Sequence, residues 1–432
     1  MDIKTDIIKL LIEMETGKYS NILLNNFFNK NKYEYKEKSF ISEVFYGVIR
    51  NKIFLEYLIQ EHAKKIKKKD IFYLLEISIY QGIYMDSDEK GVVWEAVEIV
   101  KKKYGNNIGN FVNGVLRNIF RNYKNIMEKL KKESRYDILY SYPKWIVDVF
   151  KEKYNENYIV AMENYKKPAY FSIRINTLKY NSIDFEKYLS IKKIKILNKI
   201  GEVYYLENGR ILESDLFKEG KIFVQDGSSY LAALMLEGKS NEKILDACSA
   251  PGTKTIVIAE SMKNQGEIVA VDVYEHKIKL IRENAKQAGV NIIKPMCIDV
   301  RELDSDKYSF NKILVDVPCS GIGVIRKKPE TLYNKNPLDI KKLSELQYDI
   351  LEKVSKLLIK GGTLLYSTCT ILDTENTENI EKFIKNNKNF IVEKINIDYN
   401  INYEYDKLGG VQINYNEEYL DGFYFIKLKR VD

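Results

Sequence analysis

The spacing of apolar residues divides the chain into a helical beginning and an alternating remainder. Up to about residue 130, apolar positions recur every three to four residues, which is the period of an amphipathic helix. One such face comprises Val93, Ala96, Val97 and Val100, and the next comprises Phe111, Val112, Val115, Leu116, Ile119 and Phe120. The pattern predicts an all-helical domain over residues 1–130.

A proline interrupts this pattern, and a short mixed segment follows. Pro143 breaks the helical spacing, since proline cannot continue the backbone hydrogen bonding of a helix, and a helical pattern resumes over 146–154. Residues 171–177 alternate apolar and polar side chains, which indicates a strand. We expect a small α/β module over residues 136–225. Its Arg174 has two interpretations, an RNA contact or a pair with a carboxylate.

From residue 226 to residue 432, short apolar runs alternate with helical patterns. A late run, Phe423–Leu428, predicts a strand that closes one edge of the sheet. Alternating strands and helices are typical of a doubly wound, mostly parallel α/β sheet, which binds ligands at the carboxyl ends of its strands. The other strands are predicted at 243–245, 267–271, 292–296, 312–315 and 363–366, and the helices at 275–288, 338–359 and 375–387.

The positive charge lies mainly in the helical part. The 432 residues carry a net charge of +8, and residues 1–140 hold 25 Lys and Arg residues against 19 Asp and Glu residues. Such an excess favours a polyanionic partner. Each basic cluster is either a solvated helix face or an RNA contact. The clusters are Lys64–Lys65, Lys67–Lys69, Lys101–Lys103, and Arg117 with Arg121.

Composition argues against several classes of protein. With 45% hydrophobic and 30% charged residues, the chain is typical of a globular protein. We find no apolar run long enough to span a membrane and no signal peptide, so we expect a cytoplasmic protein without a membrane partner. Four scattered cysteines and only two histidines favour neither a disulfide framework nor a metal site.

One stretch, Lys243–Thr255, has the pattern of a strand, a tight small-residue turn and a helix N-terminus. That arrangement suits an anionic or nucleotide-like ligand. It is not a P-loop, because Thr253 occupies the place of the required glycine, and GxGxxG is also absent. Lys254 could meet a carboxylate of the ligand. The turn residues expected at the ligand are Cys248, Ser249, Ala250, Pro251, Gly252, Thr253 and Lys254.

Acidic residues follow the first three strands of this region. Asp246 ends the first strand, Asp272 ends the second and Asp299 follows the third. Asp272 is placed to accept hydrogen bonds from ribose hydroxyls, and Asp299 could accept one from an exocyclic amine such as that of adenine. Each could instead be a helix cap, but the three together favour S-adenosylmethionine (SAM) as the cofactor.

Two cysteines follow the next two strands. Asp316 ends the fourth strand, Cys319 comes three residues later, and Cys369 ends the fifth. Two thiols at adjacent strand ends suggest covalent catalysis at a carbon atom, with a thiolate as the nucleophile. The Asp/Asn-Pro-Pro-aromatic motif of amine methylation is absent. Cys297, like Cys248, is expected to be a buried and inert thiol.

These motifs resemble two known families. Glu95–Val97 and Phe111–Asn118 resemble helices of the NusB family, small RNA-binding domains, over about residues 4–122. Asp246–Thr255, Asp316–Ser320 and Tyr366–Thr370 resemble the RNA 5-methylcytosine methyltransferases. Together the two parts are similar to the RsmB/Sun family, which methylates a cytosine of 16S ribosomal RNA.

The resemblance implies a Rossmann-like class I methyltransferase domain with a mixed, mostly parallel, seven-stranded sheet. It implies that Cys369 adds to C6 of the cytosine and that Cys319 assists release of the methylated base. Asp316 would hold the N3/N4 edge of the base and border the SAM site. The expected substrate is an unpaired cytosine of 16S rRNA, and the expected oligomeric state is a monomer.

Departures from the family pattern are few. Thr253 stands where a second glycine is usual, Val317 replaces a smaller residue, and Ile413–Tyr415 lacks a proline. None of them removes a chemical group. Two alternatives stay open at this point: the same chemistry on tRNA, and a non-catalytic RNA-binding factor of ribosome assembly.

Overall fold

A computed structural model describes residues 3–63 and 66–432 of the chain. The predicted basic cluster Lys64–Lys65 lies outside the described residues. The chain forms two compact units, one running to Lys166 and including Lys327–Asn334, the other combining Lys167–Arg326 with Lys335–Asp432. The three-part division predicted from the sequence stays a proposal.

The first unit is built from helices, and their bounds are α1 (Ile3–Met14), α2 (Ser20–Lys30), α3 (Tyr35–Arg50), α4 (Lys52–His62), α5 (Lys69–Tyr84), α6 (Glu89–Tyr104), α7 (Asn106–Lys132), α8 (Tyr136–Leu139), α9 (Lys144–Tyr154) and α10 (Tyr158–Lys166). Helix α5 is central, because its buried positions run almost without a break from Ile71 to Gln81. A helix that is buried on most sides belongs to the core of a bundle.

The predicted apolar faces of α6 and α7 point into this core, with one exception. Val93, Ala96, Val97 and Val100 are all buried, as is the α7 face from Val112 to Phe120. Phe111, however, is 41% exposed. It stands one residue before the buried stripe, and one residue turns a helix by about 100°, so its ring leaves the core.

The second unit contains the strands and the remaining helices. The helices are α11 (Ser182–Ile191), α12 (Asp215–Lys218), α13 (Gly227–Leu234), α14 (Thr253–Ser261), α15 (Glu275–Ala288), α16 (Pro337–Ser355) and α17 (Thr377–Asn386). The strands are β1 (Phe171–Ile175), β2 (Ile196–Ile200), β3 (Val203–Leu206), β4 (Ile222–Val224), β5 (Lys243–Asp246), β6 (Glu267–Asp272), β7 (Ile293–Cys297), β8 (Phe310–Asp316), β9 (Leu358–Thr368), β10 (Phe390–Glu393), β11 (Glu404–Tyr405), β12 (Val411–Ile413) and β13 (Phe423–Arg430).

These strands form two sheets. The smaller sheet has the order β2-β3-β1-β4 and is antiparallel throughout. The larger one has the order β11-β12-β13-β9-β8-β5-β6-β7, with β10 also paired to β13. Its five strands from β9 to β7 are parallel, and β13 joins them antiparallel to β9. The predicted mixed α/β fold is therefore confirmed.

Three details of the prediction differ. The larger sheet has nine strands rather than seven, because short strands near the end of the chain add to it. Phe423–Leu428 does not close an edge, since β13 pairs with β9 on one side and with β10 and β12 on the other. The helix predicted over 338–359 ends at Ser355, because Leu358 already pairs with Phe310 of β8.

Arg174 proves to be an internal ion-pair partner. Its side chain is fully buried, and its Nη1 donates to both carboxylate oxygens of Glu260 at 2.7 Å, while its Nε donates to Gln225 at 2.6 Å. Of the two interpretations left open by the sequence, the carboxylate pair is the one observed. The pair joins the smaller sheet, through β1, to helix α14 beside the larger sheet.

Within residues 3–63 and 66–432, every helix is too short or too polar to span a lipid bilayer.

Candidate functional site

The order of the parallel strands sets the predicted acids and thiols in a row. Across β7-β6-β5-β8-β9, Asp299 follows β7, Asp272 ends β6, Asp246 ends β5, Asp316 ends β8 and Cys369 follows β9. The winding of the chain reverses at β5, which lies between β6 and β8. Sheets of this kind bind ligands at such a reversal, outside the carboxyl ends of the strands.

The loop after β5 connects this row to the N-terminus of α14. The Thr255 hydroxyl in the first turn of α14 donates to Asp246 Oδ2 at 2.6 Å. The Ser249 backbone N–H and hydroxyl both donate to the Val271 carbonyl, at 2.9 and 3.0 Å. Gly252 caps α14 with a φ of +98°, a left-handed conformation that favours glycine. The predicted turn, residues 248–254, therefore runs from the strand end into the first two residues of α14.

Asp246 is only 1% exposed, and its Oδ1 has no hydrogen-bond partner among the described residues. Burial raises the pKa of its carboxyl group to about 7, and the negative charges of Asp316 and Asp272 add to the rise. A buried carboxylate with an unsatisfied oxygen is costly. The centre of the row is thus ready to accept a hydrogen bond or a positive charge.

This burial predicts a pH-dependent stability. The pKa of Asp246 is raised from 3.8 to about 7 on folding, so the folded state holds a proton that the unfolded state has released, and stability falls as pH rises through this window. Chemical denaturation of cofactor-free protein should show that wild type loses about 3 kcal/mol more than Asp246→Asn between about pH 5 and pH 8. Equal losses in the two proteins would contradict this origin.

Two other predicted acids lie beyond Asp246 in the row. Asp272 accepts from the Tyr274 N–H at 3.2 Å and from Lys277 Nζ at 3.5 Å. Asp299 is paired with Arg301, with an Nη2–Oδ2 distance of 2.6 Å, and hydrogen bonding to Arg301 lowers its pKa. The Asp299 carboxylate also accepts from the Arg301 backbone N–H at 3.0 Å and so caps its own turn, which is one of its two predicted roles. Arg301 would compete with a ligand for this carboxylate.

The two cysteines expected to be inert have different environments. Cys248, in the turn after β5, is half-buried, and burial raises the pKa of its thiol. Cys297 is exposed rather than buried, because it ends β7, the strand at the edge of the sheet. Cys248 stays one of the residues expected at the cofactor, whereas Cys297 gains no role from the structure.

On the other side of β5, Lys254 and Asp316 form an ion pair. Lys254 Nζ lies 2.7 Å from Asp316 Oδ2, and the Ser367 hydroxyl donates to Asp316 Oδ1 at 2.8 Å. Burial alone would lower the pKa of Lys254, but the charge and hydrogen bond of Asp316 outweigh it, with a smaller contribution from Cys369, so the pKa is raised. Lys254 is therefore a fixed cation beside Asp316.

The Cys319 and Cys369 thiols are in contact, with a distance of 2.9 Å between the sulfur atoms. The pKa of Cys319 is raised well above its ordinary value, because its thiol hydrogen-bonds to Cys369 and is buried, and because the charges of Cys369 and Glu375 oppose a second anion. Lys254 and Cys369 interact electrostatically, so the Lys254 cation would stabilise a thiolate at Cys369. The pair can hold one thiolate and one thiol.

Three contacts at this edge were not deduced from the sequence. Thr255 and Ser367 bind the two aspartates, and Ser320 bonds Glu375 behind the thiols. Ser367 could have been found, since the parallel register pairs it with Asp316. Glu375 lies at the start of the helix predicted over 375–387, but only the folded chain brings it to Ser320.

A Rossmann-like sheet with these residues at its carboxyl edge defines the class of the protein, the methyltransferases with a doubly wound fold. Solved structures with a similar fold support this class. The crystal structure of PH0851 is similar with a TM-score of 0.83 and 27% identity, covering 98% of this chain and 97% of that one. A methyltransferase homolog protein from Pyrococcus horikoshii is similar with a TM-score of 0.60 and 27% identity, covering 70% of this chain and 98% of that one.

Sequence comparisons narrow the class to a family. The family described as 16S rRNA methyltransferase RsmB/F matches residues 233–429, and the NusB family matches residues 2–121. The probable ribosomal RNA small subunit methyltransferase B of Bacillus subtilis (strain 168) is 35% identical over 402 residues, covering 89% of this chain and 88% of that protein. The chain belongs to the RsmB/F family of 16S rRNA methyltransferases, which confirms the resemblance found in the sequence.

Proposed function

We propose that the protein transfers a methyl group from SAM to C5 of an unpaired cytosine in 16S rRNA, through a covalent bond between Cys369 and C6. One observation carries this proposal: the Cys319–Cys369 pair, 2.9 Å apart, stands at the strand ends next to the Lys254–Asp316 ion pair. C5 of cytosine is a poor nucleophile, and addition of a thiolate at C6 activates it.

The residues of the row fit SAM as the cofactor. A group that carries an ammonium and a sulfonium suits a row of carboxylates with an unsatisfied oxygen at Asp246. Asp272 would hold the ribose hydroxyls, Asp299 the adenine amine, and residues 248–254 the remainder of the molecule. When bound, SAM supplies an electrophilic methyl group. Isothermal titration with SAM tests this, and absence of binding would favour the non-catalytic assembly factor instead.

Cys369 would act as the nucleophile. Its sulfur would add to C6, with the electron pair of the C5–C6 double bond moving to C5. C5 would then take the methyl group as the bond from that group to the sulfonium sulfur breaks, and the electron pair of the broken bond stays on the sulfonium sulfur. Asp316, fixed by Ser367 and Lys254, would bind the N3/N4 edge of the base. Lys254 also stabilises the thiolate, since a nearby cation lowers the cost of the anionic form.

Cys319 would then complete the cycle. Once Cys369 is bonded to C6 it no longer carries a negative charge, so Cys319 could release its own proton to solvent and then accept the C5 hydrogen of the methylated adduct as a proton. Removal of that hydrogen as a proton returns its electron pair to the C5–C6 bond and expels the Cys369 thiolate. The methylated base is released, and the thiol pair is restored with one proton.

The substrate is testable in cells. Mapping of 5-methylcytosine in total RNA, with and without the protein, should reveal one 16S rRNA cytosine that loses its methyl group. Loss at a tRNA position instead would favour the tRNA alternative. A reaction with purified protein, SAM and unmodified 16S rRNA would separate a direct effect from an indirect one.

Helix α7 offers a surface for the RNA. No Asp or Glu occurs from Tyr104 to Met127, while Arg117 and Arg121 are exposed one turn apart and Phe111 is 41% exposed beside them in the chain. A Cβ at Gly114 would meet no described atom within 4 Å, so the helix backbone is accessible. Exposed arginines can bind RNA phosphates, and an exposed aromatic ring can stack on an unstacked base.

The double variant Arg117→Gln/Arg121→Gln should therefore bind 16S rRNA about tenfold more weakly at physiological salt, with a shallower salt dependence, because two phosphate contacts are lost. Filter binding over a range of salt concentrations measures both quantities. The matched control is Lys131→Gln/Arg135→Gln, which removes two cations already paired with Glu128 and Asp137. Equal weakening by the two double variants would argue against a specific α7 surface.

A further inference from the structure

Behind the two thiols lies a carboxylate that the chemistry above does not use. Glu375 is fully buried, six residues after Cys369, in the segment that leads to α17. Burial raises the pKa of its carboxyl group, although its hydrogen bonds oppose the rise. A buried carboxylic residue costs stability unless it is well bonded, so its contacts need an explanation.

The contacts of Glu375 converge on the residue next to Cys319. Its carboxylate accepts from the Ser320 backbone N–H at 2.9 Å and from the Ser320 hydroxyl at 2.5 Å. Gln347 of α16 donates to the same carboxylate at 2.7 Å, and also to the Pro318 carbonyl at 2.9 Å. Both neighbours of Cys319 in the chain are thereby held.

The same network reaches the second thiol. The Ser320 hydroxyl lies 2.8 Å from the hydroxyl of Thr370, which directly follows Cys369. The Glu375 carbonyl accepts from the hydroxyl of Tyr366, in β9, at 2.6 Å. The loop after β8 and the loop after β9 are thus joined through Ser320 and Glu375, on the side of the thiols away from solvent.

We propose that Glu375 is a positioning residue for the two-thiol centre: through Ser320 it fixes the Cys319 thiol against Cys369, and so enables release of the methylated base. This inference rests on the proposed function. Cys369 has a further anchor, because it directly follows β9, which is paired with β8 on one side and with β13 on the other. Loosening the Ser320 loop should therefore misplace Cys319 more than Cys369.

The negative charge of Glu375 affects which of the two thiols ionises. It opposes ionisation of Cys319, after the larger effects of the Cys369 contact and of burial. Cys319 thus stays a thiol while Cys369 is the thiolate, and the two sulfurs keep separate roles. The contacts of the Glu375 carboxylate with Ser320, and not its charge, assign Cys319 to the release step.

The test compares covalent trapping in four proteins. Glu375→Gln keeps the size of the side chain but replaces one carboxylate oxygen with an amide NH2, so it can no longer accept from the N–H and from the hydroxyl of Ser320 through separate oxygens. Ser320→Ala removes the hydroxyl alone. Each is incubated with SAM and 16S rRNA, and the protein–RNA adduct is measured on a denaturing gel beside turnover. The third protein is Cys319→Ala, and the fourth is Thr377→Val, which deletes a neighbouring buried hydrogen bond of 2.7 Å to Asp406 that does not touch Ser320.

We expect Glu375→Gln to accumulate the adduct as Cys319→Ala does, with kcat about 100-fold lower and KM for RNA unchanged. Ser320→Ala should show the same effect more weakly, and Thr377→Val should not show it. Loss of adduct and product together in Ser320→Ala would overturn the inference, as would turnover of Glu375→Gln equal to wild type. If Cys319→Ala itself traps no adduct, that result contradicts the proposed function. The role of Glu375 is contradicted separately, by the results for Ser320→Ala and Glu375→Gln.

Discussion

Replacing Cys369 with alanine is expected to abolish methyl transfer, with a loss in kcat of about 10⁴-fold or more. Without the sulfur, nothing adds to C6, and C5 stays unreactive toward the methyl group. The Lys254–Asp316 pair, 2.7 Å apart, can still bind the base, so affinity for RNA should be nearly unchanged. Incorporation of labelled methyl from SAM into 16S rRNA measures the first quantity, and filter binding measures the second.

Cys319→Ala supplies the counterpart to this experiment. Cys369 should still attack in that variant, but the adduct should persist, because the residue that accepts the C5 proton is gone. A covalent protein–RNA band on a denaturing gel is the expected sign. The reverse pattern, with trapping in Cys369→Ala and none in Cys319→Ala, would exchange the roles of the two thiols, which lie 2.9 Å apart.

Arg174→Ala is expected to destabilise the second unit by about 3–5 kcal/mol, because it leaves Glu260 as a buried charge without its cation. Among the described residues, Glu260 would retain only Thr177, whose N–H and hydroxyl donate to it at 3.2 and 2.9 Å. The free energy of unfolding from urea denaturation measures the loss. Since the pair joins β1 to α14, binding of SAM should weaken as well.

A double variant separates lost packing from lost charge compensation. Arg174→Met/Glu260→Gln removes both charges and keeps most of the side-chain volume, so it should recover a large part of the stability. If Arg174→Ala were as stable as wild type, the pair would be dispensable for the fold. If the double variant were as unstable as Arg174→Ala, packing rather than charge would explain the effect.

Local patterns predicted the elements of this protein well. The alternation of short apolar runs and helical faces located β5 to β9 and helix α15, because strand and helix periods differ and each buries one face. The end of α16 and the true start of β9 could not be found in this way. Leu357 and Leu358 fit a helical stripe equally well, and only pairing with β8 makes Leu358 a strand residue.

The candidate site, too, could be predicted from the sequence only in part. The turn 248–254, the aspartates at strand ends and the two cysteines are visible in the sequence, because their residue types and spacing carry the chemistry. Their partners are not visible. Arg174 had two equal interpretations until Glu260 was found 2.7 Å away, 86 residues along the chain, and nothing in the sequence links Ser320 to Glu375.

The sequence by itself determined which chemical groups this protein has and at which strand ends they stand. The tertiary structure decided which of them touch. Strand order brings Asp246, Asp316 and Cys369 into one row. Burial then raises the pKa of Asp246, and the contact with Cys369 together with burial raises the pKa of Cys319. Distances and desolvation between residues far apart in the chain are properties of packing, so local residue patterns cannot specify them.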